Sequence, residues 1–118
     1  MPEKGWKQFE RRVAKVLGGK RRGAYTGNGH DGGKTDVLLE GWAVECKLLS
    51  RPNWSDVLTA LKQAEENGEP GEIPIAVMKK ARGDFEDTVV VLRLEIFVRL
   101  MEEIRKAEIL CPTTNVAT

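Results

Sequence analysis

Three charged residues in one short stretch could act together on a phosphate: Asp36, then, after eight intervening residues, Glu45, and, one residue beyond that, Lys47. Between them Glu40-Gly41 can form a two-residue turn, so residues whose numbers sum to 81 face one another. Asp36 then stands directly opposite Glu45, with Cβ atoms about 5 Å apart. Lys47 projects from that same face, while Val37, Leu39, Trp42, Val44 and Cys46 point to the other. One face is apolar and the opposite one reactive. Two directly opposed carboxylates destabilise a hairpin unless something positive lies between them. A hard divalent cation answers that need, since Mg²⁺ takes one or two carboxylates together with waters and a substrate phosphate oxygen. The nearby lysine can orient or activate a water and stabilise negative charge developing at phosphorus. The alternative is a surface Asp–Lys–Glu cluster that merely neutralises itself.

A fourth candidate comes from an earlier helix. From Gly5 to Leu17 the apolar residues Trp6, Phe9, Val13, Val16 and Leu17 fall on one helical face, and Gly18-Gly19 is a stop signal. On that wheel Glu10 sits at the border of the apolar stripe, where an acid needs a partner. Arg11 or Arg12 could turn inward to meet it, or it could reach the same cation.

The elements that must position these groups follow from periodicity and punctuation. Residues 20–34 are rich in Gly and Arg and read as a loop, with a short strand conceivable at 23–26. Strands are predicted at 35–39 and 42–48. Pro52 and Asn53 lead into a helix marked by Trp54, Val57, Leu58, Leu61 and Ala64, which ends in the run 67–71. Strands follow at 73–78 and 88–94. A last helix over 94–110 is marked by Ile96, Phe97, Leu100, Met101 and Ile104, and 111–118 is a polar tail. The order predicts a single α/β domain over 1–110 with a mixed β-sheet flanked by helices, because strands 42–48 and 73–78 are joined through a helix.

Composition and charge narrow the classes. At 118 residues the chain fits one domain, able to hold a core without disulfides or structural zinc. No apolar run approaches the length of a membrane span, and the basic start lacks the apolar stretch of a signal peptide. A soluble, cytoplasmic protein with Cys46 and Cys111 reduced is expected. The net charge of +1 hides a polarity: residues 1–34 carry nine Lys/Arg against three Asp/Glu, and residues 35–118 carry ten against fifteen. A basic first third fits a polyanion partner, with a solvated helix face plus a basic loop as the plain alternative.

Other signals are set aside. The run 27–35 contains a G-x-G-x-x-G string and a Gly-Lys-Thr ending, but a P-loop needs glycine where Asn28 stands, and either motif must open a helix rather than a strand. No nucleotide cofactor is expected. A mobile loop closing on a polyanion explains the glycines better. His30 is the only histidine, which excludes paired-histidine zinc sites. Gln63 lies opposite the apolar stripe of its helix and is placed on the surface. Phe9, Trp54 and Phe97 have core spacing, which leaves Tyr25 in the basic loop as the aromatic to expect near a nucleic acid.

Asp36, eight residues and Glu45-Cys46-Lys47 resemble the PD-(D/E)XK nuclease motif, with Thr35 where that family often has proline. More specifically, the chain is similar to archaeal-type and phage Holliday junction resolvases. These have an early helix with a Glu-Arg pair, here Glu10-Arg11, then a loop of the type Arg-x-x-x-Ser/Thr-Gly, here Arg22 to Gly27, and a later strand like 73–78 with Lys79-Lys80 after it. The similarity covers about residues 5–100. It implies a restriction-endonuclease-like core and a dimeric, Mg²⁺-dependent endonuclease, with Mn²⁺ able to substitute, that nicks opposing strands of four-way DNA junctions. If phage-encoded, it would work in the host cytoplasm. By position, Glu10, Asp36 and Glu45 would hold the metal, the Cys46 carbonyl could add a ligand, and Lys47 would assist the water. Arg11, Arg22 and Thr26 would contact the phosphate backbone, with Arg21 and Lys34 in the same basic stretch. Thr26 departs from the serine usual in resolvases, and the helix from Glu95 onward has no clear counterpart. Another nuclease of the superfamily, restriction-like or end-processing, and a non-catalytic DNA-binding accessory protein are the alternatives.

Overall fold

A computed structural model describes residues 4–22 and 35–110. Helix α1 spans Gly5–Leu17 and stops where Gly18 takes a left-handed φ of 83°, turning the cap N–H back onto the Ala14 and Lys15 carbonyls. Gly19 follows at the closest backbone approach in this region: a Cβ there would lie 2.5 Å from the Leu38 carbonyl oxygen. The chain therefore enters a strand at once. β1, Lys20–Arg21, pairs antiparallel with β2, Val37–Leu39, and β2 with β3, Trp42–Leu49. Periodicity cannot register a two-residue strand made of Lys and Arg, so β1 fell inside the expected loop. The strand conceived at 23–26 and the tail at 111–118 lie outside the described residues.

The register of the hairpin is the one the turn dictates: Val37 pairs with Val44, Leu38 with Ala43 and Leu39 with Trp42. Helix α2, Trp54–Asn67, returns the chain so that β4, Ile73–Lys80, lies parallel to β3. Its start is fixed by a reciprocal cap, Asn53 Oδ1 accepting from Asp56 N at 2.8 Å and Asp56 Oδ2 from Asn53 N at 3.1 Å. After a 3₁₀ turn at Phe85–Asp87, β5, Val89–Val91, closes a five-stranded mixed sheet in the order β1-β2-β3-β4-β5. The strand expected over 88–94 is shortened because α3, Leu94–Leu110, takes over its end.

Each face of the sheet has its own core. Phe9 and Val13 of α1 cover Val37, Val44, Cys46, Ile75 and Val77 on one side. On the other, Ala60 of α2 meets Ala76 and Met78, with Leu49, Val57 and Val91 around them. Burying each such Val, Ile, Phe or Met contributes about 1.5–3 kcal/mol. The face opposite Val44 and Cys46 is thus also largely apolar, and its reactive part is confined to Glu45 and Lys47. Three aromatics assigned to the core lie elsewhere. Trp54 is 72% exposed because it opens α2 ahead of the stripe that meets the sheet, Trp6 is 46% exposed at the start of α1, and Phe97 is 48% exposed on α3. That last helix makes no extended contact with any other described element; its base is tied to α2 by the Arg93 Nε–Glu65 Oε2 ion pair at 2.8 Å. Among the described residues, no helix is long and apolar enough to cross a membrane.

Candidate functional site

The chemistry-bearing residues meet where β2 has ended and β3 has not. Pairing of the two strands stops at Val37 and Val44, so the next N–H along that edge of β3 needs another acceptor. Asp36 provides it. Its backbone N–H donates to the Val44 carbonyl at 2.9 Å, and its side-chain Oδ2 accepts from the Cys46 N–H at 2.7 Å. The carboxylate is held at the open rim of β3, where groups from both faces of the sheet can reach it.

Glu45 and Lys47 come from the α2 side. Lys47 Nζ lies 3.6 Å from Glu45 Oε2, and the Asn67 side chain at the end of α2 also hydrogen-bonds Glu45. The second oxygen, Oε1, is buried with no hydrogen-bond partner. Glu10 arrives from α1 on the opposite side, and its carboxyl reaches that of Asp36. Its other partner is Arg21, whose Nε donates to Glu10 Oε1 at 2.9 Å while its guanidinium lies 5.8 Å from the Trp6 ring. The inward cation is therefore Arg21 of β1 and neither Arg11 nor Arg12. Arg12 instead stacks over Phe85 at 4.1 Å, and Arg11 is exposed on α1. Arg22 Nε donates to the Thr35 carbonyl at 2.7 Å, bracing the residue before Asp36. Thr26 and Lys34 lie outside the described residues, as do Tyr25 and His30.

Crowding of acids sets the electrostatics. Burial, reinforced by Asp36, raises the Glu45 carboxyl to about 7 against the opposing pull of Lys47. Glu10 is raised by burial and by Asp36, with Arg21 opposing. Asp36 is raised by burial, offset by the Cys46 N–H and Lys47. The Cys46 thiol is pushed up by burial and by all three carboxylates, which keeps it neutral and leaves its backbone carbonyl as the group it could lend to a cation.

Three neighbouring carboxyls with raised pKa values and one buried carboxylate oxygen without a donor form a donor set that suits a hard cation such as Mg²⁺. The set is not drawn tight: among the described residues no three His, Cys, Asp or Glu side chains stand at metal-ligand spacing. Glu10 in particular is engaged by Arg21.

Two α2 residues escaped the sequence reading. Asn67 was absorbed into the helix stop. Gln63, placed on the surface, is only half exposed, and its Oε1 is buried without a partner. It lies one turn before Asn67, so it shares the flank of α2 that faces Glu45. A wheel centred on the apolar stripe could not find either residue, because both depend on where the open rim of β3 falls. No family model matches the chain, and neither the curated proteins nor the solved structures contain a match to it.

Proposed function

We propose that this chain is a Mg²⁺-dependent DNA endonuclease of the PD-(D/E)XK kind, with a restriction-endonuclease-like core, that nicks opposing strands of four-way junctions as a symmetric pair of copies in the cytoplasm. The observation that carries the reading is the convergence of Glu10 of α1, Asp36 just before β2, and Glu45 and Lys47 of β3 on one rim of β3. A self-neutralising surface cluster would be solvated, whereas Glu10 and Glu45 are buried, at 8% and 7% exposure. Asp36, Glu45 and Glu10, with the Cys46 carbonyl, would hold Mg²⁺, which would supply Lewis-acid chemistry at the phosphate and make water there more acidic.

The chain's own groups do the rest. Lys47 is half-buried beside Glu45, so its ammonium can donate to the attacking water and then face the phosphate oxygen on which negative charge accumulates as the water oxygen bonds to phosphorus and the sugar oxygen leaves. Asp36, fixed by the Cys46 N–H, holds the position of that reaction relative to the strand. Arg11 and Arg22 contact the nucleic-acid backbone beside the site.

The test is an incubation of labelled junction, duplex and flap DNA with and without Mg²⁺, repeated with Lys47→Ala. Symmetric nicks in the junction alone, abolished by the substitution while binding persists, are expected. Equal cutting of plain duplex would move the protein to another nuclease of the superfamily, and binding without metal-dependent cutting would make it an accessory protein. A Lys47→Ala variant that cuts at the parental rate refutes the mechanism.

A further inference from the structure

Because β3 and β4 are parallel, their carboxyl ends lie side by side, with Leu49 paired to Lys80 and Ala81 N–H donating to the Leu49 carbonyl at 2.8 Å. The crevice beyond the carboxyl ends of adjacent parallel strands is where open α/β sheets commonly bind ligands. Two adjoining cavities open there. The first, about 290 Å³, lies between α1 and the chain after β4; its cations are Arg12, Lys79 and Arg82, and its apolar wall includes Phe9, Leu48 and Phe85. The second, about 560 Å³, is lined by Ser50, Lys80, Ala81, Arg82 and Gly83. Among the described residues, no acidic side chain lines either. Asp84, Glu86 and Asp87 follow in the chain, and Asp87 lines a separate groove beside Trp54.

Two of the cations are held in place rather than left to drift. Lys79 Nζ donates to the Lys80 and Gly83 carbonyls at 3.1 and 2.7 Å, partners that fix the ammonium without neutralising it. Arg12 is pinned over Phe85. Arg82 joins both cavities, makes no ion pair among the described residues, and sits at a φ of 67°, a left-handed conformation that costs an L-residue energy and a glycine none. A bulky cation at that position is unfavourable for the turn itself, and gathering four like charges adds repulsion. A polyanion bound there would offset the repulsion.

We infer that this paired cavity is a second backbone-phosphate site, which takes the nucleic-acid strand as it leaves the reactive rim. The inference rests on the nuclease reading for its ligand. Leu48 follows Lys47 directly on β3 and Ser50 lies just past the end of that strand, so the cavities begin within about 10 Å of Lys47. That places the contacted phosphate about two or three nucleotides from the one attacked. These cations belong mostly to the part of the chain that is acidic overall, which is why the division of charge along the sequence did not reveal them.

Arg82→Gly is the informative variant, because it removes the cation and relaxes the turn together. Binding of labelled duplex and junction DNA is measured in EDTA by anisotropy over a range of salt, alongside thermal melting. The expected result is five- to tenfold weaker binding at about 0.1 M salt, a salt slope shallower by about 1, and a melting temperature unchanged or raised. Lys80→Ala should weaken binding in the same way. Variants that bind with parental affinity and slope, while the wild type binds DNA, overturn this site and leave the nuclease reading standing; a wild type that binds no DNA overturns both. Displacement of the DNA by submillimolar inorganic phosphate would assign the pocket to a small phosphate compound and also refute the strand assignment.

Discussion

The Asp36 carboxylate occupies the place of a β-strand carbonyl, accepting the Cys46 N–H at 2.7 Å where β2 no longer reaches. One side chain thus both completes the ladder and stands among the acids that would do the chemistry. The two roles separate under substitution. Asp36→Asn keeps an acceptor for Cys46 and removes the charge, so Mg²⁺-dependent cleavage should fall at least 100-fold while the fold persists. Asp36→Ala removes the acceptor too, leaving a buried donor unsatisfied at a cost of about 1–3 kcal/mol. In urea unfolding at pH 8 without metal, Asp36→Ala should therefore be clearly less stable than Asp36→Asn. Equal stabilities would mean that the cap contributes nothing.

Raised carboxyl pKa values make the metal-free protein less stable as pH rises. Glu45, at about 7 when folded against 4.5 ordinarily, binds a proton in the folded state that the unfolded chain has already released over that interval. Its contribution is fully present below pH 4.5 and is lost as pH climbs through 7, a loss on the order of 3 kcal/mol. Glu10 and Asp36 are shifted in the same direction and steepen the trend. Melting in EDTA should accordingly show a decline from pH 5 to pH 8 that Glu45→Gln flattens. Added Mg²⁺ should raise the melting temperature at pH 8, where the carboxylates are charged, and do little at pH 5. A flat profile in EDTA, or Mg²⁺ stabilisation equal at both pH values, would contradict the shared acidic pocket.

Much of the site was legible because a hairpin register is arithmetic: Glu40-Gly41 fixes the turn, and the alternation of Val37, Val44 and Cys46 against Glu45 and Lys47 follows from a period of two. Glu10 was legible as an acid at the edge of an apolar stripe, and the parallel pairing of β3 with β4 as the consequence of an intervening helix. What escaped depends on contacts between distant segments. Arg21 as the partner of Glu10 needs the short β1 to lie beside β2, and Asn67 and Gln63 need the open rim of β3 to fall under the end of α2. Core spacing at Trp54 and Phe97 gave helices correctly but not what the helices cover, since periodicity records an apolar face and never its partner.

The Glu10–Arg21 pair is a lock on one of the candidate metal ligands. Both side chains are largely buried, at 11% and 15% exposure, so removing either partner should destabilise the protein by more than an exposed pair would, on the order of 1–3 kcal/mol. Arg21→Ala should also free Glu10 for a cation, so that Mg²⁺ stabilises this variant at lower concentration than it does the wild type. The Glu10→Gln, Arg21→Ala double variant should lose both the coupling and that gain. Urea unfolding across the double-mutant cycle, titrated with Mg²⁺, measures each term; additive losses with an unaltered Mg²⁺ response would show the two residues to be independent.

Helix α3 carries the apolar surface that a symmetric pair of copies would need. Leu94, Phe97, Val98 and Ile104 are exposed at 77%, 48%, 44% and 59%, and Met101 extends the same stripe. Val89 of the edge strand β5 adds to the uncovered apolar surface, at 54% exposure. Monomeric proteins rarely leave so continuous an apolar patch in water. A two-fold arrangement lets one stripe cover its own copy, since the sequence places Phe97 and Ile104 seven residues apart and so on the same side of the helix. Phe97→Asp should then shift the protein from dimer to monomer in sedimentation at micromolar concentration. Its melting temperature should lose the concentration dependence that a dimer confers. Cleavage of a junction by the monomeric variant should leave single nicks that accumulate before the second strand is cut, where a dimer would cut both within one encounter. Wild-type protein that sediments as a monomer, or paired nicks that survive Phe97→Asp, would remove α3 from the assembly.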